Sequence, residues 1–338
     1  MMRDRRSATL LHKAARANSS VAVFLLLKIG ADIEAKDNGM TPLYDAALCN
    51  ADKAASVLLK HGADVAAKNR YGFTPLHAAA GSNADKVASL LLQNGADIAA
   101  TNLDRETPFY AAARADAEKV ASLFLKNGAD VEMKVRFDDT SLHAAARYNA
   151  EKVASLLLEN GADVAAKASD GSTPLHSAAH QNADKVASLL LKHGADVAAK
   201  TKWRDPTPLR RHESQEDVGD SDEYDVGGLD PDTVICANPN KGCNTPLHYA
   251  AQADADNTAY LLLKNGASPN ERNASGETPL HFAAQMPLFS EAKGSAEKVV
   301  SLLLENGADR HAKNENDETP LNVAKREGRD KVIALLQN

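Results

Sequence analysis

A four-residue motif resembling Thr-Pro-Leu-His recurs at nearly constant spacing along this 338-residue chain. Successive copies are separated by 32, 33, 33, 33, 33, 34, 38, 33 and 41 residues. The copies begin at Thr9, Thr41, Thr74, Thr107, Thr140, Thr173, Thr207, Thr245, Thr278 and Thr319. A period of this length is typical of a linear stack of small supersecondary units, each contacting only its neighbours. Chain length alone would suggest two conventional domains, but the repeat favours a stack instead.

Residues 74–106 show how one unit is built. Thr74 is expected to cap a short, alanine-rich first helix, with proline at its first position. A second helix follows over about residues 84–94, and glycine at position 95 supplies its left-handed C-terminal residue. The apolar stripe of this second helix follows the i, i+3, i+4 spacing of one helix face and consists of Val87, Leu90 and Leu91. The polar residues that follow predict a hairpin-like loop leading to the next unit.

These units resemble ankyrin repeats, because TPLHAAA followed by NADKVASLLLQNGADIAA recurs over nearly the whole chain. Nine repeats are recognisable and a tenth is degenerate. The resemblance implies an all-α solenoid, in which each unit is a helix pair plus a β-hairpin loop and the units form a curved stack. It also implies that the first helices and loop tips line a concave recognition surface. In this family the histidine of the motif hydrogen-bonds locally and links neighbouring units.

Two units depart from the pattern. The unit at Thr278 has eight extra residues near 286–294, between its two helices, and the unit at Thr207 loses the pattern and its second helix. We therefore divide the chain into six repeats over 1–206, a degenerate repeat with an acidic loop over 207–244, and three repeats over 245–338, the last of them a cap. The lost helix predicts the weakest interface, and the first proteolytic cut, within residues 210–232.

Charge is concentrated in one segment. The formal net charge is −7, yet residues 213–232 carry nine acids and no Lys or Arg, so the rest of the chain sums to +2. This balance argues against generic coating of DNA.

Three cysteines indicate a reducing compartment. No stretch approaches the roughly 18 apolar residues of a membrane span. The apolar run 21–27 recurs inside later repeats, so it is interpreted as structure and not as a signal peptide, and a cytoplasmic location is predicted.

Loop tips face solvent, so large apolar groups there are costly unless a partner covers them. Arginine, tyrosine and tryptophan are also enriched in interface hot spots. The predicted partner-binding residues at the tips are Arg70, Tyr71, Phe73, Leu103, Arg105, Arg136, Phe137, Trp203 and Arg204. Those predicted on the first helices are Arg114, Arg147, Tyr148 and His180. The alternative is that these arginines and aromatic rings only cover neighbouring hairpins.

No catalytic residue, cofactor or metal site is predicted. Cys236 and Cys243, with His212 and His248, match no standard zinc spacing, and a cysteine–histidine nucleophile pair has no accompanying oxyanion motif. The acidic run 220–225 lacks the glycine and glutamate that a calcium loop needs. These patterns favour a noncatalytic scaffold.

The expected partner is another protein, docking an extended acidic or aromatic segment on the tips. One rival is binding of single-stranded nucleic acid through the same arginines and rings, which the overall charge disfavours. Another is a host-directed effector that uses the repeats for targeting. The acidic loop 213–232 is either an intramolecular competitor for the tips or an idle insertion. Polar residues in the last unit (Arg326, Arg329 and Lys331) predict a capped, monomeric rod.

Overall fold

The computed structural model describes residues 9–202, 242–285 and 296–337. Within these ranges the chain forms eighteen α-helices and one short 3-10 turn, Arg136–Asp138, and no strand longer than the isolated bridge between Asp37 and Met40. The helices alternate as first and second members of nine pairs. The first helices are α1 Leu10–Arg16, α3 Pro42–Leu48, α5 Pro75–Gly81, α7 Pro108–Arg114, α9 Ser141–Arg147, α11 Pro174–His180, α13 Pro246–Gln252, α15 Pro279–Ala284 and α17 Pro320–Arg326. The second helices are α2 Ser20–Lys28, α4 Asp52–Lys60, α6 Asp85–Gln93, α8 Glu118–Lys126, α10 Glu151–Glu159, α12 Asp184–Lys192, α14 Asp256–Lys264, α16 Ala296–Glu305 and α18 Asp330–Gln337.

Each pair packs on the next, first helix against first helix and second against second, which confirms the predicted all-helical solenoid. The local signals act as expected. Thr74 caps α5 in a reciprocal capping box with His77, Asn83 turns the chain with a φ of 51°, and Gly95 ends α6 with a φ of 84°. Small alanines are fully buried on the first helices, and Val87 and Leu91 are fully buried on the second, so the core is one continuous alanine–leucine layer.

The motif histidines hold adjacent units together. In α5 the backbone N–H of Thr74 donates to Nδ1 of His77 at 3.2 Å, so Nδ1 is unprotonated and Nε2 carries the proton. That Nε2 donates to the carbonyl of Glu106, 3.0 Å away in the hairpin that leads into the next helix pair. The same link joins His12 to Met40, His143 to Ser172, His176 to Asn244, His248 to Glu277 and His281 to Glu318. The structural role implied for these histidines is therefore confirmed.

Two further ladders run along the second helices. Four turn residues that precede a second helix accept a backbone N–H from the following unit, namely Asn18 from Ala54 at 3.0 Å, Asp116 from Val153, Asn149 from Val186 and Asn182 from Thr258. On the outer surface a lysine near the start of a second helix reaches back to an acid of the preceding unit. The pairs are Lys86–Asp52, Lys152–Glu118, Lys185–Glu151, Lys298–Asp256 and Lys331–Glu297, with N–O distances of 2.7 to 4.0 Å. Each exposed pair of this kind stabilises the fold only slightly. The pairs nevertheless show that the lysine side chain points toward the preceding unit.

The units on either side of residues 203–241 are direct neighbours. The backbone N–H of Thr201 donates to the carbonyl of Asn244 at 3.1 Å, as Ala168 does to Ser172 in the preceding hairpin. His176 also donates to Asn244, and Asn182 accepts from the backbone N–H of Thr258 at 3.1 Å. The chain thus departs after Lys202 and returns at Gly242 within one hairpin turn, and 39 intervening residues separate these two positions.

These contacts bear on how the two blocks of repeats meet, a question that the sequence leaves open. Residues 207–241 lie outside the described residues, so the predicted division at 207–244 is not tested there. The described flanks nevertheless form a continuous stack, because α11 and α12 pack on α13 and α14 as every other pair does. The spacing Thr173 to Thr245 is 72 residues, which is one 33-residue unit plus the same 39 residues. A hairpin insertion, with no unit stacked between the blocks, therefore accounts for the spacing.

The second departure lies where the extra residues were expected. Helix α15 ends at Ala284, one residue shorter than the other first helices, and Gln285 continues it in extended backbone. Helix α16 begins at Ala296, and residues 286–295 between them lie outside the described residues. His281 still reaches the carbonyl of Glu318, so the stacking contact survives the insertion.

Candidate functional site

Four of the described loop tips are five-residue turns closed by the side chain of their first residue, which is Asn69, Asn102, Asn273 or Asn314. The side-chain Oδ1 of Asn69 accepts the backbone N–H groups of Tyr71 and Phe73 at 2.9 and 3.0 Å, and Asn102 closes the next tip in the same way. In the first two of these Asx turns the second and third residues are exposed. The tip at 135–139 begins with Val135 and is closed by the backbone hydrogen bond from the Val135 N–H to the Asp139 carbonyl. Gly72 is required in its turn, because it has a φ of 83° and a β-carbon there would lie 2.9 Å from the amide nitrogen of Leu103.

Three successive tips present exposed apolar side chains. Tyr71 is 52% exposed, Leu103 75% and Phe137 48%. The first two tips are joined by a hydrogen bond from the Leu103 amide to the Tyr71 carbonyl at 3.1 Å. The third is joined to the second by an ion pair of 2.8 Å between Arg136 and Asp104. These three tips therefore form one physically connected surface, while the fourth predicted tip, at Trp203, lies outside the described residues.

Arginines accompany these rings. The Arg70 guanidinium lies 4.7 Å from the centroid of the Tyr71 ring, and that of Arg136 lies 4.8 Å from the Phe137 centroid. Such stacking orders a guanidinium without removing its hydrogen-bond donors. Both arginines remain exposed, as does Arg105. We use the name tip patch for the following set: Arg70, Tyr71, Leu103, Arg105, Arg136 and Phe137.

Phe137 has an unusual backbone conformation, with a φ of 63° and a ψ of 21°. Left-handed backbone is unfavourable for a bulky L-residue, and most other non-glycine residues with positive φ in the described chain are Asn or Asp. Backbone strain of this kind concentrates at functional positions. The equivalent residue of the first tip, Tyr71, has no positive φ among the described residues.

Replacing Phe137 with asparagine is therefore expected to preserve or raise stability, by up to about 1 kcal/mol, because asparagine tolerates this backbone. Urea unfolding measures the effect. Tyr71→Asn is the matched control, at the same tip position without positive φ, and it should bring no gain. A loss of more than about 1 kcal/mol in Phe137→Asn alone would contradict the assigned strain.

On the first helices, two predicted arginines are each held by a carboxylate that directly precedes the N-cap of the arginine's own helix. Nη1 of Arg114 lies 3.2 Å from Oε1 of Glu106, and its guanidinium stacks 5.1 Å from the Tyr148 ring centroid. Nη2 of Arg147 lies 2.7 Å from Oδ2 of Asp139, and its Nη1 donates to the Tyr110 hydroxyl at 3.2 Å. Arg147 is also largely buried. These contacts give both arginines a structural role in addition to the predicted one, which favours Tyr148 as the accessible member of this group.

Two other predicted residues pack inward. The Phe73 ring meets His77 edge-on at 5.5 Å, and Phe73 is half-buried because it directly precedes the N-cap of α5. His180 lies 6.1 Å from the Tyr249 ring, and burial together with the nearby charge of Arg147 lowers its pKa. A neutral, half-buried imidazole contributes shape more than charge to this face.

Several predicted residues lie outside the described residues. These are Trp203, Arg204, His212, Cys236, the acidic run 220–225 and the acidic loop 213–232. Of the zinc candidates, Cys243 has a φ of 68° and occupies a turn position that is glycine in the tip at Gly72. Nδ1 of His248 accepts the backbone N–H of Thr245, and its Nε2 donates to the carbonyl of Glu277. In the described ranges no group of three or more His, Cys, Asp or Glu is arranged to hold a metal ion.

Two inward-packed polar residues on the first helices, the half-buried Tyr249 and the buried Asp45, were not identified from the sequence. Tyr249 packs against His176 and His180, and burial raises its pKa to about 12. Asp45 is buried beneath Arg16, whose Nε donates to it at 2.7 Å, and burial raises the pKa of Asp45. Both residues stand at the position of Ala78 in the unit 74–106. The replacement of this alanine by a larger polar residue is the sequence feature that would have identified them.

Comparison with known proteins identifies the repeat. A family model described as ankyrin repeats (3 copies) matches residues 2–69, 66–135, 109–201, 229–287 and 247–338. A 41-residue segment is 49% identical to the transient receptor potential cation channel subfamily A member 1 homolog of Caenorhabditis elegans, covering 12% of this chain and 3% of that protein. Mitochondrial disaggregases of Bos taurus and Homo sapiens are each 51% identical over 45 residues, covering 13% of this chain and 6% of theirs. The likeness to these relatives thus spans a small part of their length.

None of the helices in the described ranges is both long and apolar enough to span a bilayer.

Proposed function

Because the chain belongs to the ankyrin-repeat family, we propose that it binds another protein, without catalysis, through the tip patch and the adjoining Tyr148. Ankyrin repeats generally mediate protein–protein interaction. The single observation that carries the choice of surface is the exposure of Tyr71, Leu103 and Phe137 on three linked tips. A contiguous apolar group bordered by arginines has the composition of an interface hot spot.

The spacing and charge of the tip patch suit an extended segment. Adjacent units in a helix stack lie about 10 Å apart, and an extended chain in the polyproline II conformation advances about 3.1 Å per residue with three residues per turn. Every third residue of such a segment would therefore meet a successive tip. Arg70, Arg105 and Arg136 favour carboxylates there, and the exposed rings favour aromatic or aliphatic side chains. We propose a partner segment with acidic and apolar residues repeating at three-residue intervals.

Selection from a random peptide library on the full chain tests this proposal. Selected peptides are expected to carry acids and large apolar residues with the three-residue spacing. Their affinity, measured by calorimetry, should fall at least about tenfold in Tyr71→Ser/Leu103→Ser and in Arg105→Ala/Arg136→Ala, since each pair removes exposed contact groups. Tyr260→Ser is the matched control, because Tyr260 is equally exposed but lies on α14, away from the tips.

Selection of no peptide, or equal affinity in all variants, would overturn the proposal. Oligonucleotides provide the competing arm of the same experiment. Tight binding of a single strand that weakens steeply with salt would favour the rival function. The acidic side chains of Asp104 and Asp138 among the same tips weigh against it.

A further inference from the structure

A long groove crosses the outer surface of three successive second helices, α4, α6 and α8, and has a volume of about 860 Å³. Each helix contributes residues at the spacing i, i+3, i+4 and i+7, which places them on one helix face. In α6 these residues are Lys86, Ser89, Leu90 and Gln93. The groove thus has half-buried serines and aliphatic side chains along its floor and exposed lysines at its rim.

Cations outnumber anions in this groove. Four lysines and two aspartates line it, namely Lys53, Lys86, Lys119, Lys126, Asp52 and Asp85. Three of the lysines are the second residue of their helix, near the positive end of the helix dipole, where a cation is unfavourable. An anion in the groove would therefore be attracted by both the lysines and the helix ends.

The ladder of lysine–acid pairs along the second helices is incomplete here. Lys53 has no acid behind it, because Ser20 stands where the later second helices begin with Asp or Glu. Within the described chain, Lys119 makes no ion pair with Asp85, and Lys126 makes none with any acid, in contrast to the ladder lysines of α10, α12, α16 and α18. The charge of these three lysines is therefore available to a ligand.

The neighbouring helices mark where the groove ends. In α2, the large ring of Phe24 stands at the position of the floor residue Ser56. In α10, Ser155 donates to Glu159 at 2.9 Å, and Glu159 stands where α8 has Lys126. The open floor and the excess of positive charge are thus confined to the three helices α4, α6 and α8.

The chemistry of the groove favours an acidic polypeptide over other anions. None of the described residues that line it is aromatic, so it offers no platform on which bases could stack. Val57, Leu90 and Leu123 lie half-buried beside the serines, so the floor suits small apolar side chains better than a purely ionic polymer. The serine hydroxyls supply hydrogen bonds to carboxylates or to backbone carbonyls.

We propose that this surface, the lysine groove, binds an extended acidic segment of a partner protein, independently of the tip patch. Helices α4 and α8 are two steps of about 10 Å apart, so about seven extended residues span the three helices. Carboxylates of the segment lie near Lys53, Lys86 and Lys119, and its small apolar side chains contact the floor. Because the lysines are exposed, binding is weak and falls as salt is added.

Fluorescence anisotropy on the full chain tests this proposal with a labelled peptide of about ten residues that alternates glutamate and alanine. Binding with a Kd below about 1 mM is expected at low salt, and a peptide with glutamine in place of glutamate should bind at least about tenfold more weakly. Lys53→Gln/Lys119→Gln should weaken binding at least about threefold. Lys298→Gln/Lys331→Gln removes the same charge outside the groove and should leave the affinity unchanged.

A change of shape without a change of charge provides a second test. Ser89→Tyr introduces the residue type that α14 carries at this position, Tyr260, so the helix can accommodate it. The added ring should fill the floor of the groove and weaken peptide binding at least about tenfold. Ser188→Tyr makes the same change on α12, outside the groove, and should have no effect. Circular dichroism confirms that each variant is folded.

Arg105→Ala/Arg136→Ala separates this site from the tip patch. It should not change the affinity for this peptide, which lacks the large apolar residues that the tip patch favours. Loss of binding in that variant, with no loss in Lys53→Gln/Lys119→Gln, would place the acidic segment on the tips and overturn the proposal while leaving the proposed function intact. No detectable binding to the wild type, or equal binding in Ser89→Tyr, would also overturn it. So would a single-stranded oligonucleotide that binds more tightly than the peptide and depends on the same two lysines.

Discussion

Lowering the pH from 7 to 4 is expected to unfold the stack cooperatively. His77, His176 and His248 link successive units through a neutral imidazole, and burial lowers the pKa of each to about 4. Burial also lowers the pKa of His143 and His281. Protonation would place a proton on Nδ1, where a backbone N–H already donates, so it is incompatible with the capping box.

The direction of this change in stability with pH follows from the linkage between proton binding and folding. A histidine whose pKa is lower in the folded state than in the unfolded chain, about 6.5, binds protons preferentially when unfolded. Its stabilising contribution is complete above about pH 6.5 and is lost progressively as the pH falls toward 4. Each of the three strongly shifted histidines accounts for roughly 3 kcal/mol at the lower limit. Several such losses match the whole stability of a typical domain, 5–15 kcal/mol.

Urea unfolding at several pH values measures this effect as a fall in the free energy of unfolding between pH 6.5 and 4. His77→Gln/His176→Gln should be less stable at pH 7 but should show a shallower pH dependence. His193→Gln is the control, since His193 is exposed and makes no link between units. Equal stability at pH 7 and pH 4.5 would contradict the proposed role of the buried imidazoles.

Deletion of residues 203–241 is expected to stabilise the protein. Joining Lys202 directly to Gly242 restores a five-residue tip and a 33-residue unit, because Thr201 and Asn244 already pair as the ends of an ordinary hairpin. Closing a loop costs about 0.6 kcal/mol for each doubling of its length, so removing 39 residues should raise the free energy of unfolding by up to roughly 3 kcal/mol.

A chain in which the same 39 residues are replaced by a glycine–serine segment is the matched control. It keeps the length of the loop and removes its sequence, so it should match the wild type in urea unfolding. If the deletion destabilises the protein while the replacement does so equally, residues 203–241 contribute contacts of their own to the stack. That result would support the degenerate repeat predicted at 207–244.

Local signals made most of the fold predictable. The Thr74 cap, the left-handed Asn83 and Gly95, and the Val87–Leu91 stripe each depend on residues close in sequence, and each is found as expected. The start of a unit at Thr207 was inferred from the same kind of local motif. That start stays a prediction, because Thr207 lies outside the described residues. The neighbour of α11 in the described stack is instead set by a non-local contact, the bond between His176 and Asn244, which are 68 residues apart. No pattern within a short window reveals such a contact.

The candidate surface was predictable in part for the same reason. Exposure of Tyr71, Leu103 and Phe137 follows from their place at the tips. The pairing of Arg114 with Glu106 and of Arg147 with Asp139 depends on a spacing of eight residues across the N-cap, which joins a hairpin to the end of the next helix. A pattern restricted to helix periodicity does not include that spacing, so both arginines looked unpartnered in the sequence.

The hairpin that pairs Thr201 with Asn244 also makes this chain suitable for the insertion of another domain. Thr201 donates its backbone N–H to the carbonyl of Asn244 and accepts the backbone N–H of Cys243, so the two segments of the hairpin lie side by side. The positions Lys202 and Gly242, between which the insertion lies, are therefore close together in space. A foreign domain with adjacent termini could be inserted there without separating the repeats before and after it. The inserted domain would lie at the edge of the stack that bears the loop tips. The described helix pairs on both sides would support it at a fixed position.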